Sequence, residues 1–246
     1  MKLKRIGILA CDEVAGPLGV QYGQYVDMFT RLLRGAGLEV EILWFRVYAD
    51  EFPSAIDSCD AYIVSGSRRS VYEDLPWIKR LSEFLRALHA ARRPTVGICF
   101  GHQLIGQTFG GRTEKAAQGW GLGRHTAQIL DSAPWMQPPA ASYALYAVHQ
   151  DQVTALPPGA RRLATSAHCE NAMFVLDDVL LGVQGHPEFE RDYARAITEN
   201  KRGIAPDEVI EQALPGFAQT VDADLVAGWI VAFLRGVEHD DAGASS

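Results

Sequence analysis

In its first hundred residues the chain alternates short apolar runs with amphipathic helical stretches, and that order restricts the folds open to it. KRIGILAC (4–11), LEVEILWF (38–45), AYIVSGS (61–67) and TVGIC (95–99) read as strands. Between them, Tyr25, Phe29, Leu32 and Leu33 mark a helix ended by the glycines at 35 and 37. Pro76 opens a second helix whose apolar face is Ile78, Leu81, Leu85 and Leu88. Parallel neighbours need a crossover long enough to hold a helix, so this order predicts parallel pairing. The expected fold is α/β: one domain over 1–238, with a mostly parallel central sheet flanked by helices, and a frayed tail at 239–246.

The second half carries more strand signals, HTAQIL, YALYAVHQ, RRLATSA, AMFVL and LLGVQG, and closes with a helix marked by Leu225, Val226, Trp229, Ile230, Phe233 and Leu234. PWMQPPA and LPPG read as turns within the domain, because strand signals resume soon after each. Across 246 residues, 48% apolar and 22% charged composition is that of an ordinary globular chain. A net charge of −7 and the absence of a Lys/Arg run argue against a nucleic-acid partner. No apolar stretch is long enough to cross a bilayer, and the short N-terminal one meets Asp12 and Glu13, so neither a signal peptide nor a membrane partner is expected. Cys11, Cys59, Cys99 and Cys169 are widely spread with no CxxC pair, which predicts no disulfide framework, no zinc site and a reducing, cytoplasmic setting.

Three of these cysteines read as small buried hydrophobes. Cys99 differs. In TVGICFGHQLIGQTFGG (95–111) a buried strand turns into a helix at the cysteine, and Gly97 and Gly101 strip the flanking side chains. A thiol held out of a sheet at a helix N-terminus is placed where its thiolate is stabilised. In an open parallel sheet, ligands collect at the carboxyl ends of the strands. Ser65-Gly66-Ser67, Cys99 and Gly185-His186-Pro187-Glu188 all fall at such ends and are expected to converge. A cysteine nucleophile needs a base, and the base an orienting carboxylate. His186 and Glu188 supply that pair, with Pro187 stiffening the chain between them. From these residues alone, a loop histidine and a solvated glutamate stand as equal alternatives to a triad.

GICFGHQ (97–103) together with GHPE (185–188) resembles the class I glutamine amidotransferases, whose triad is Cys-His-Glu. The pattern G-x-C-x-G-x-Q falls on Gly97, Cys99, Gly101 and Gln103, and H-P-E on His186, Pro187 and Glu188. IVSGSRRSVYED resembles the family's oxyanion-hole segment, and AVHQDQVTALPPGA its S-H-x-D-x-V segment beside the substrate. The likeness spans roughly residues 60–190. G-S in place of G-G, the G-W at Gly119-Trp120 and HQD are closest to stand-alone γ-glutamyl peptidases and GMP-synthase-like members.

The resemblance implies a flavodoxin-like amidotransferase fold, catalytic Cys99, His186 and Glu188, and an oxyanion hole from the backbone at Gly66 and Phe100. It also implies a glutamyl site formed by Gln103, His149, Gln150 and Asp151, with no metal and no cofactor. The implied reaction is hydrolysis of the γ-amide of glutamine or a γ-glutamyl compound through a Cys99 thioester. Ammonia would pass to a separate synthetase chain, because this chain has no P-loop and no SGGxDS-type signature. A self-contained γ-glutamyl peptidase and a non-catalytic regulatory relative are the alternatives. His102 is expected to be structural, Trp120 to line the pocket or pack, and Arg68 and Arg69 either to be solvated or to meet a substrate carboxylate.

Overall fold

The computed structural model describes residues 3–236; the expected tail at 239–246 lies outside them. In chain order the first half runs β1 (Arg5–Ala10), α1 (Gly16–Tyr22), α2 (Tyr25–Gly35), β2 (Glu41–Arg46), β3 (Ala61–Val64), α3 (Pro76–Ala90), β4 (Thr95–Ile98) and α4 (Phe100–Thr108). Then follow β5 (Arg112–Lys115), β6 (Gly121–Ile129), β7 (Ser142–His149), β8 (Asp151–Ala155), β9 (Arg161–Ser166), β10 (Met173–Leu176) and β11 (Leu180–Val183). The chain closes with α5 (Arg191–Glu199), α6 (Asp207–Ala213) and α7 (Ala223–Arg235).

Nine strands form one sheet in the order β2-β1-β3-β4-β11-β10-β9-β6-β7. It is parallel from β2 through β11 and antiparallel from β11 to β7, which joins the two halves of the sequence into a single mixed sheet. Alternation along the parallel strands feeds two cores. Ile6, Ile8, Ile63, Val96 and Ile98 pack under α2 and α7, against Phe29, Leu33, Trp229 and Phe233. Leu9, Tyr62 and Val64 point the other way, toward Leu81 and Leu85 of α3 and Phe100 and Leu104 of α4.

On the second face α4 approaches the sheet closely. A Cβ on Gly97 would lie 2.4 Å from the Gly101 carbonyl carbon, and one on Gly101 2.5 Å from the Val64 carbonyl oxygen. Both glycines are therefore required for α4 to sit directly on β3 and β4. A second, two-stranded sheet pairs β5 with β8. The run read from sequence as one strand through His149 and Gln150 in fact changes sheets there: β7 ends at His149, and Asp151 already pairs with Lys115. No single helix among the described residues is long and apolar enough to cross a membrane.

Candidate active site

The parallel strands β1, β3, β4 and β11 deliver Asp12, Gly66, Cys99 and His186 to one edge of the sheet. Cys99 has φ 51° and ψ −98°, a region that side-chain-bearing residues rarely occupy. Such a residue costs on the order of 1–3 kcal/mol and persists only where its surroundings enforce it. Here its N–H donates to the Val183 carbonyl at 2.9 Å, and its own carbonyl accepts the Gln103 N–H at 2.9 Å, starting α4. The turn lifts the thiol off the sheet at the head of the helix, where the first N–H groups have no intrahelical acceptor. Burial pushes the other thiols up, Cys59 to about 11 and Cys169 to about 12, so they stay protonated and inert.

His186 is pinned by its N–H, which donates to the Tyr146 carbonyl at 2.8 Å. Its Nδ1 lies 2.8 Å from Glu188 Oε1, with the two side chains 4% and 0% exposed. Because a carboxylate accepts, Nδ1 carries the proton and Nε2 is the nitrogen available for chemistry. Phe189 stacks on the ring at 3.9 Å and 5°, fixing its plane. Burial alone would depress the imidazole's pKa, but the charges of Glu188 and Cys99, with the hydrogen bond to Glu188, outweigh it and raise it to about 10. Gly66 completes the group. A Cβ there would lie 3.0 Å from His186 Cε1 and 3.8 Å from Cys99 Cβ, so the bare backbone faces both side chains. The three segments expected to converge do so.

Beside them, Gln103 Nε2 donates to the Asp151 carbonyl at 2.7 Å and to Gln184 Oε1 at 3.2 Å. Its two N–H groups are thus committed within the protein, leaving the Oε1 acceptor to offer a ligand. His149 Nδ1 donates to the same Asp151 carbonyl at 3.1 Å. Burial, reinforced by His125 and His168, holds His149 well below the usual imidazole range, so it is neutral and a poor base. Asp151 Oδ1 accepts from the Tyr72 hydroxyl at 3.1 Å, and Gln150 lines the same cleft.

The cleft has a volume of about 610 Å³. Arg68, an open candidate for a substrate carboxylate, is committed elsewhere: its guanidinium grips Asp12 through contacts of 2.8 and 2.7 Å. Arg69 pairs with Glu73 at 3.3 Å. His102 is fully buried against Phe174, with ring centroids 4.8 Å apart, and plays no part in the cleft. It is structural, as expected, and burial lowers its pKa to about 3.

Tyr25, Tyr193 and Lys201 line the cleft without having been singled out from sequence as site residues. A signal for two of them was present: after His-Pro-Glu, Phe189, Tyr193, Ile197 and Lys201 recur at i, i+4 spacing and so share one face of α5 and its extension. Burial first, then neighbouring charges including Glu188, raise the Tyr25 and Tyr193 phenols and keep them neutral.

A family model described as class I glutamine amidotransferase matches residues 20–201. Gamma-glutamyl peptidase 4 of Arabidopsis thaliana is 33% identical over 178 residues, covering 70% of each chain. The glutamine-hydrolyzing GMP synthase subunit of Archaeoglobus fulgidus is 30% identical over 168 residues, 68% of this chain and 85% of that one. In structure, a glutamine amidotransferase from Methylobacillus flagellatus superposes with a TM-score of 0.71 at 23% identity, covering 95% of this chain and 94% of that one, which supports the fold alone. The chain belongs to the class I glutamine amidotransferase family.

Proposed function

We propose that this protein hydrolyses γ-glutamyl amides through a thioester on Cys99. The observation that carries the reading is the meeting of a strained cysteine, a buried His186–Glu188 pair and bare backbone at Gly66 on one wall of a large cleft. The Cys99 thiolate attacks the γ-carbonyl carbon, and the developing oxyanion is held by backbone N–H groups at Phe100 and Gly66. Imidazolium His186 gives its proton to the leaving nitrogen as the C–N bond breaks.

Acylation also resets the base. Once sulfur is bonded to carbon it carries no charge, one of the influences raising His186 vanishes, and the imidazole becomes able to take a proton from water. That water attacks the thioester, glutamate departs and the thiolate returns. Gln103 Oε1, His149, Gln150 and Asp151 hold the glutamyl portion, while the neutral His149 shapes the pocket rather than acting as a second base.

A cleft of this volume falls in the range that encloses ligands larger than free glutamine, which favours γ-glutamyl compounds with a substantial leaving group. The second reading, a glutaminase that feeds ammonia to a separate synthetase, is supported by the likeness to the glutamine-hydrolyzing part of a GMP synthase. Glutamate release from γ-glutamyl dipeptides and from L-glutamine, with Cys99→Ala as control, separates the two. Faster Cys99-dependent cleavage of dipeptides supports the first reading, and cleavage of glutamine alone supports the second. Equal release by the Cys99→Ala protein overturns both.

A further inference from the structure

The leaving nitrogen departs on the His186 side of the scissile bond, so whatever it carries extends along the elements beyond His186. These are the Tyr193 and Ile197 face of α5 and, at its end, Lys201. The Lys201 ammonium lies 4.9 Å over the ring of Trp120, which reaches the cleft from the loop before β6. Trp120 packs its own edge on the Leu122 and Ile210 cluster, so it is a fixed platform. Among the described residues, Lys201 has no carboxylate partner, whereas both arginines of the cleft are already paired, Arg68 with Asp12 and Arg69 with Glu73. Lys115, the other lysine of the cleft, sits opposite Asp151 in the β5–β8 ladder, beside the glutamyl portion. Lys201 is half-buried, and burial pulls its pKa down while the charge on Cys99 pulls it back up. A cation packed over an aromatic face and left without a carboxylate partner is set to receive an anion from a ligand.

We propose that Lys201, held on Trp120, binds a carboxylate carried by the leaving amine, making γ-glutamyl amides of amino acids the favoured substrates over glutamine. This rests on the γ-glutamyl hydrolase reading and names the other half of its substrate. The reaction adds one water across the amide bond and yields glutamate and a free amino acid.

The test compares γ-glutamylglycine with γ-glutamylethylamide, which share the γ-glutamyl-NH-CH2 skeleton and differ in ending on a carboxylate or a methyl group. A charge-assisted contact at a half-buried site is worth on the order of 10-fold. The wild-type protein is expected to show that ratio in kcat/KM for glutamate release. Lys201→Gln collapses the ratio toward unity, Lys201→Arg keeps most of it, and Arg195→Gln on the outer face of α5 leaves it in place. Calorimetric binding of both compounds to the Cys99→Ala protein reads the same ratio without turnover. A Lys201-dependent binding preference without glutamate release upholds the subsite and overturns hydrolysis. Equal handling of both compounds by the wild type, a Lys201→Gln effect that is the same on both, or binding of neither overturns the subsite.

Discussion

Cys99, His186 and Glu188 are coupled through charge. Glu188 is wholly buried at 0% side-chain exposure and spends one oxygen on His186 Nδ1. Its negative charge is a main reason the imidazole stays protonated through neutral pH despite burial. The folded-state pKa, about 10, is above the ordinary value of 6.5. The stability carried by the imidazolium is therefore fully present below 6.5 and lost as pH rises through 10, and with it the acid role proposed for His186. Glu188→Gln removes the raising charge, so the alkaline limb of the kcat/KM profile moves to lower pH and the rate falls by roughly 10²- to 10⁴-fold. A profile recorded on both proteins checks this; an unmoved limb would show that Glu188 does not set the His186 charge. These three residues were legible because each lies in a short local pattern, GICFGHQ or GHPE. The neutrality of His149 was not, because it comes first from burial and then from His125 and His168, which converge only in the fold, with ring centroids 6.4 and 5.4 Å from it.

At the scale of elements, the β4–α4 unit depends on two glycines more than on any side chain. With backbone atoms 2.4 Å from the place of its missing Cβ, Gly97 leaves no room that a rotamer change could open. Gly97→Ala and Gly101→Ala are each expected to cost roughly 1–3 kcal/mol through overpacking and to lower Tm by several degrees. Gly228→Ala provides the contrast. Its Cβ meets nothing within 4 Å inside α7, so it gains up to about 1 kcal/mol from helix propensity. Thermal unfolding of the three variants checks the order, and similar losses in all of them would contradict this packing. The elements visible in sequence are those with an apolar run or period of their own, among them β1, α2, β2, β3, α3, β4, the strands of the second half other than β5 and β8, and α7. The β5 segment RTEK is mostly exposed, with only Thr113 buried, and exists as a strand because β8 pairs with it from some forty residues away. Helix α1 buries none of its residues, so it left no amphipathic pattern to read.

For the whole molecule, the cleft exists because the parallel edge of the sheet and the helices after β11 close around it. Asp12, from the loop after β1, ties down Arg68, from the loop after β3. Burial works against the Asp12 carboxylate, yet hydrogen bonds from Arg68 and from the backbone hold its pKa below 3.8. Its contribution to stability is thus present above 3.8 and lost as pH falls through the lower folded value. Asp12→Asn is expected to be less stable than wild type at neutral pH, with the gap narrowing below about pH 4. Denaturant titrations at pH 7 and pH 3 check this, and a gap that is constant with pH would assign the loss to packing instead. The proposed Cys99 thioester is a covalent species, and mass spectrometry of acid-quenched protein detects it. After mixing with γ-glutamylglycine, the mass of one γ-glutamyl group is expected on the peptide containing Cys99, removable by hydroxylamine and missing from the Cys99→Ala protein. Glutamate release with no adduct on Cys99, or an adduct that forms equally on the Cys99→Ala protein, would contradict it.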